Sequence, residues 1–162
     1  MRKAAPEAAF FHGGCMYELM NRTVVIDGAP LSLDLTTGDP LVRAVLMSLF
    51  TWARAQPGDV LPADRKMGWW GDTYPTATGD RIGSRLWLLS REKLLPDTIN
   101  RAREYAQEAL AWLVTDGVAQ RVEVSAERRG TDGLTLYCRI WRRDGQPVEL
   151  RFDDAWEAIT NG

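Results

Sequence analysis

From Val118 to Phe152 the chain alternates apolar and polar residues through three runs, with Asp-Gly pairs between them. Val122, Val124 and Ala126 share one face of the first run. Leu134, Leu136, Cys138 and Ile140 share a face of the second, and Val148, Leu150 and Phe152 carry the third. A two-residue period is the signature of a half-buried strand, and Asp-Gly between such runs is a strong hairpin signal. Turns at Thr131-Asp132-Gly133 and Asp144-Gly145 therefore predict a three-stranded antiparallel meander, with Val148–Phe152 as an open edge strand. One face of that sheet is apolar and has to be covered. The preceding segment supplies the cover: Ile99, Ala102, Ala106, Ala109, Leu110 and Leu113 form one stripe of a helix over about 98–115, capped by Asp97. Arg101, Arg103, Glu104, Gln107 and Glu108 are expected to face away from it.

Upstream, Val24-Val25-Ile26, the turn Asp27-Gly28-Ala29-Pro30 and the alternating Leu31–Leu35 predict a small hairpin. Asp39-Pro40 opens a helix with Asp at the cap and Pro at the first helical position, and Gln56-Pro57-Gly58 stops it. Residues 57–82 make a long connection rich in Gly, Pro, Asp and Trp, of the kind that is functional or docked. A short helix is expected over Gly83–Leu94, separated by Pro96 from the longer one, and Asp153 and Asp154 can cap a last helix carrying Trp156 and Ile159. The fold class is α+β: amphipathic helices on a three-stranded antiparallel C-terminal sheet, with a small N-terminal hairpin. Residues 1–16 are read as a loose extension, with Met16 a plausible alternative start, and 17–162 as a single domain.

Composition narrows the function classes. The net charge of -2 argues against attraction of the whole protein to nucleic acid or an anionic membrane. The two cysteines, Cys15 and Cys138, form neither a disulfide framework nor a zinc spacing, and a reducing cytosol suits them. No apolar run has the length of a membrane span, and Ala8–Phe11 is too short for a signal-peptide core. No metal or cofactor is expected.

Catalytic chemistry finds little footing. His12 is the only histidine and falls in the N-terminal extension, and neither Ser84 nor Ser90 has a base beside it in sequence. Asp72, Asp80 and Glu92 are the carboxylates that a glycan-cleaving site would have to draw on. Asp72 and Asp80 sit beside glycines, where they also serve as turn and cap residues. Gly79–Ser84 lacks the Gly-Lys-Ser/Thr ending of a phosphate loop.

The stretch Gly68–Lys93 instead reads as built to pack or bind. It holds Trp69, Trp70 and Trp87 beside glycines and Arg81, Arg85 and Arg91. Trp and Arg dominate interface hot spots, which makes Trp69, Trp70, Arg85 and Trp87 candidate partner contacts. The alternative is that Trp87 is core and that Trp69 and Trp70 brace their own loop. In the sheet, Arg121, Arg128, Arg129, Arg139, Arg142, Arg143 and Arg151, with Tyr137 and Trp141, fit three readings. They form a solvated face balanced by Glu123, Glu127, Asp144 and Glu149, a protein interface, or a single-strand nucleic-acid platform.

Several blocks together resemble a Mu-like phage tail protein family. They are Asp34–Asp39 with Leu41–Val45, Gly68–Asp72, Gly83–Lys93, and Glu108–Leu113 followed by Asp116–Ala119. The resemblance runs in order over roughly residues 31–160. That family is similar to the baseplate wedge proteins of contractile tails, including the P2-type W protein and the T-even wedge protein once labelled lysozyme-like. The resemblance implies a small α+β wedge subunit, present six times around the tail hub and made in the bacterial host cytoplasm. It would bind larger wedge proteins, contact hub and sheath, and offer a strand that starts the sheath. A free monomer, no nucleic acid, no membrane and no enzymatic activity are expected, with cell-wall glycan hydrolysis as the alternative. Ile82-Gly83-Ser84-Arg85 resembles the Ile-Gly-(Ser/Thr)-Arg block of the broader family. Its Glu-Pro-Arg triplet is absent, and that place reads Leu113–Gly117. Either Asp116 supplies the carboxylate there or Arg85 anchors alone. Trp69, Trp70, Arg85, Trp87, Arg91 and Asp116 are thus the expected partner-binding residues.

Overall fold

A computed structural model describes residues 23–26, 28–32, 39–62 and 82–160 of the chain. The strands are β1 (Thr23–Ile26), β2 (Ala29–Ser32), β3 (Ala119–Arg129), β4 (Gly133–Arg142) and β5 (Pro147–Phe152). The helices are α1 (Pro40–Phe50), α2 (Pro96–Ala109), the single turn α3 (Trp112–Thr115) and α4 (Ala155–Thr160), with a 3₁₀ turn at Leu86–Leu89.

The meander forms as its alternation demands. Leu134, Leu136, Cys138 and Ile140 are all buried, as are Val122, Val124, Leu150 and Phe152, and α1, α2 and α4 share one core with them. The α+β class with a C-terminal antiparallel sheet is therefore as expected. The sheet is larger than the meander, however. Its order is β2-β1-β5-β4-β3, all antiparallel, with Val25 and Ile26 paired to Arg151 and Leu150. The N-terminal hairpin thus extends the sheet, and β5 is an interior strand where an open edge was expected. Among the described strands the edges are β2 and β3. Sequence alternation reports which face is buried, but not which strand lies beside which.

Local chemistry sets the element boundaries. Asp39 caps α1, its carboxylate accepting from Leu41 N–H at 2.8 Å, and Pro40 takes the first turn. Arg142, at the end of β4, pairs with the same carboxylate, so the helix start is fastened to the sheet. Burial pushes the Asp39 carboxyl up, but the Leu41 N–H and the Arg142 guanidinium outweigh it and hold it below its ordinary value. At the other end of α1, Phe50 meets Phe152 edge to face at 5.7 Å.

Three boundaries differ from expectation. Leu95, not Asp97, is the cap of α2, because Pro96 takes the first helical position and leaves Asp97 inside the first turn. The expected 98–115 helix is broken after Ala109. There the chain tightens to three-residue spacing, with Ala111 N bonded to Glu108 O and Leu113 N to Leu110 O, and both Leu110 and Leu113 stay fully buried. In the β3–β4 hairpin the positive φ belongs to Gly130 at +61°, while Gly133 already lies in β4. The Asp144-Gly145 turn is as expected, with Gly145 at φ +83°.

Candidate functional site

The segment Ile82–Arg85 is a clasp between two stretches of chain. Gly83 and Ser84 run alongside Thr51–Ala53 as one parallel bridge, with Ser84 N bonded to Thr51 O at 2.9 Å and Ala53 N to Ser84 O at 3.0 Å. Gly83 has φ +105°, and a Cβ there would stand 2.5 Å from Thr51 O and 2.8 Å from Ala53 N. Only glycine tolerates both that backbone angle and that approach. The Ser84 hydroxyl donates to Leu49 O at the end of α1 and accepts from Leu86 N–H at 3.2 Å. One buried hydroxyl thereby satisfies two helix-terminal groups. The short helix expected over Gly83–Leu94 is reduced to the 3₁₀ turn for this reason: its first residues are committed to the bridge.

Arg85 extends the clasp. Its Nη1 bonds Asp59 at 2.8 Å, its Nη2 bonds Glu108 of α2 at 2.5 Å, and its guanidinium lies 4.5 Å from the Tyr105 ring centre. Gln56 donates to the other Glu108 oxygen at 3.0 Å. The side chain is only 17% exposed. Burial lowers the Arg85 pKa, and the hydrogen bond and charge of Glu108, with the charge of Asp59, more than restore it, so the group stays cationic. Trp87 is 5% exposed; its indole N–H donates to Ala53 O at 2.8 Å and its ring faces Trp52 at 6.2 Å. Both residues therefore face inward, toward the protein's own segments.

The remaining expected contacts are placed differently. Arg91 follows the 3₁₀ turn, exposed and without an ion pair among the described residues. Asp116 is exposed just beyond α3, between Val114 at 44% and Val118 at 45% exposure, and Arg143 packs over Gly117 next to it. Leu113–Gly117 is thus a corner of mixed apolar and charged character. Trp69 and Trp70 lie outside the described residues, as do His12, Cys15, Asp72, Asp80 and the extension 1–16.

Most of the charges in these segments are paired within the chain. Arg101 holds Glu92 through both terminal guanidinium nitrogens, which raises the Arg101 pKa and occupies the carboxylate. In the sheet, Arg121 pairs with Glu123, Arg139 with Glu149, Arg151 with Asp153, Arg129 with Asp154 and Arg142 with Asp39. Arg121 and Arg139 also flank the Trp141 ring, at 4.9 and 5.9 Å. The outer sheet face borders an open groove of about 670 Å3 lined by Glu123, Tyr137, Arg139, Glu149 and Arg151, among others. Cys138 opens to the buried side, and burial pushes its thiol up to about 12. Among the described residues, no group of three potential metal ligands forms and no helix is long and apolar enough to cross a membrane.

Gln107 is the residue that sequence reasoning placed wrongly. It does not face away: its carboxamide donates to Val122 O at 3.1 Å and accepts from Val124 N–H at 3.0 Å, along the outer edge of β3. Its position, one residue after Ala106 on the buried stripe, was the signal available.

Comparison with known proteins adds identity to this geometry. The family model described as phage protein GP46 matches residues 41–147. The chain is 46% identical over 136 residues to the baseplate protein gp46 of Escherichia phage Mu, covering 82% of this chain and 91% of that protein. It is 39% identical over 118 residues to the Mu-like prophage FluMu protein gp46 of Haemophilus influenzae, covering 73% and 80% respectively.

Proposed function

We propose, on the premise that this chain belongs to the Mu-like phage GP46 family, that it is a structural subunit of a contractile-tail baseplate. Within the baseplate it acts as a wedge protein that binds larger wedge subunits and helps start the sheath. The 46% identity to the Mu baseplate protein, spread over 82% of the chain, carries this reading. The family model matches residues 41–147, a range that takes in the clasp, α2, β3 and β4.

The residues take two roles in this reading. Trp69, Trp70, Arg91 and Asp116 are the partner contacts; of these Arg91 and Asp116 are exposed, with Val114 and Val118 adding apolar area around Asp116. Arg85 and Trp87 serve from inside, by fixing the segment that ends in Arg91. Sheath initiation falls to an edge strand, and β2 and β3 are the candidates since β5 is interior. The site of action is the virion baseplate, after synthesis in the host cytoplasm. The chain works as one of six copies and is a monomer when free, without nucleic acid, membrane or cofactor.

The same reading assigns no catalysis. Glu92, one carboxylate that a glycan-cleaving site would use, is committed to Arg101. Purified chain is expected to leave peptidoglycan intact, and turnover abolished by Asp72→Asn or Glu92→Gln would overturn this. The structural role is tested by deleting the chain from a producing phage or prophage and imaging the particles. Tails lacking baseplate and sheath are expected; normal contractile tails would refute the role.

A further inference from the structure

We propose that Gln107 is a gate on the β3 edge, and that it shuts out the β3 strand of a second copy of this chain. This inference does not rest on the baseplate reading. Among the described residues, β3 is paired with another strand along one side only, that of β4. On its other side the Gln107 carboxamide takes Val122 C=O at 3.1 Å and Val124 N–H at 3.0 Å. A residue of a parallel neighbouring strand makes the same pair of bonds, to the C=O of one residue and the N–H two positions on. One side chain of α2 thus stands in for a strand residue.

The bonds also fix which backbone groups point outward. Val122 C=O and Val124 N–H do, so the two-residue period puts both backbone groups of Ala126 and the N–H of Arg128 on the same side. This is a row of hydrogen-bonding groups on an eleven-residue edge strand, and such a row is a template for another strand. The sequence of β3 suits pairing with itself. An antiparallel pair centred on Ala126 sets Glu123 of one copy opposite Arg129 of the other, twice, and Glu127 opposite Ser125. Glu123 and Arg129 now hold Arg121 and Asp154, in exposed pairs that exchange at small cost. The same register sets Val124 opposite Arg128, and that is where Gln107 stands. With Gln107 engaged, only the centre around Ala126 is open, too short a ladder to hold two subunits. With Gln107 removed, the ladder closes into a two-fold dimer with a continuous sheet.

The test compares wild type with Gln107→Ala, Gln107→Glu and Gln107→Ala/Ala126→Pro. Mass is measured by light scattering over a concentration series, and amide exchange is read at Val124, Ala126 and Arg128. Wild type should keep the 18.2 kDa monomer mass, with Val124 protected and Ala126 and Arg128 exchanging freely. In dilute Gln107→Ala, Val124 should exchange about fivefold faster or more, the factor one ordinary hydrogen bond is worth. As concentration rises, its mass should approach twice the monomer, with Ala126 and Arg128 gaining protection. Proline at 126 removes an outward donor without touching the β4 ladder, and should restore the monomer. Gln107→Glu keeps the acceptor and loses the donor, so it should dimerise more weakly; it carries the test if the alanine variant does not fold. A folded variant that stays monomeric throughout, or association that survives Ala126→Pro, overturns the proposal.

Discussion

Gly83→Ala is the substitution whose cost follows most directly from geometry. The added methyl would stand 2.5 Å from Thr51 O, 2.8 Å from Ala53 N and 3.0 Å from Thr51 C, all of them backbone atoms with no rotamer to give. The φ of +105° adds strain of about 1–3 kcal/mol for any side chain. Relieving the clash means opening the bridge, which forfeits the 2.9 and 3.0 Å hydrogen bonds on either side of Ser84. At about 1 kcal/mol net for each bond, the total cost is about 3–5 kcal/mol. Gly145→Ala is the matched control: φ is +83° but nothing lies within 4 Å of its Cβ position. It should cost only the backbone strain, about 1–2 kcal/mol. Urea unfolding of both variants at constant m measures the difference, and roughly 2–4 °C of Tm per kcal/mol gives an independent reading. If Gly83→Ala costs no more than Gly145→Ala, the clasp is not the close-packed joint described here.

Three further outcomes follow from the same site and core. Ser84→Ala removes the hydroxyl shared by Leu49 O and Leu86 N–H and should destabilise the domain by about 2–3 kcal/mol, since both groups are left buried and unpaired; a change under about 0.5 kcal/mol in the same titration would contradict it. Arg85→Lys should cost about 1–2 kcal/mol, because a point charge cannot span Asp59 and Glu108 as the guanidinium fork does; a double-mutant cycle with Glu108→Gln isolates the pair, and zero coupling would remove it. The Cys138 thiol, raised to about 12 by burial, stays protonated in the fold while the unfolded thiol ionises near its ordinary value of 9.0. Its contribution is therefore full below pH 9 and lost as pH rises from there toward 12. Cys138→Ala should flatten that alkaline decline, and folded wild type should resist thiol reagents at pH 8; rapid labelling of Cys138 in the native state would refute the burial argument.

The legible parts of this fold are those that local chemistry decides. Asp39-Pro40 marks the start of α1, Asp144-Gly145 makes the β4–β5 turn, and Leu134 to Ile140 alternate into the core. What the sequence concealed depends on segments meeting from a distance. The hairpin joins the meander through β1 and β5, more than a hundred residues apart in the chain, and no local pattern encodes that neighbour. Gly83 and Ser84 look like the start of a helix until Thr51–Ala53 comes alongside. Arg85 and Trp87 carry the residue types of an interface hot spot, yet those types also fill inner joints, and only the positions of Asp59, Glu108 and Ala53 show the inward orientation. Gln107 is polar and borders the apolar stripe, so its role required seeing the β3 backbone in reach.

The central proposal is that this chain is a baseplate wedge subunit, which its proposed partner contacts should show in solution. Trp69→Ala or Trp70→Ala should each weaken assembly by ~2 kcal/mol or more with the fold intact if these residues are hot spots. The most direct measurement precedes those variants: co-expression with the proteins encoded beside it, followed by size exclusion and light scattering. A stable complex heavier than the 18.2 kDa chain, containing a larger partner, is the result predicted. A lone monomer that binds none of them would contradict the wedge reading.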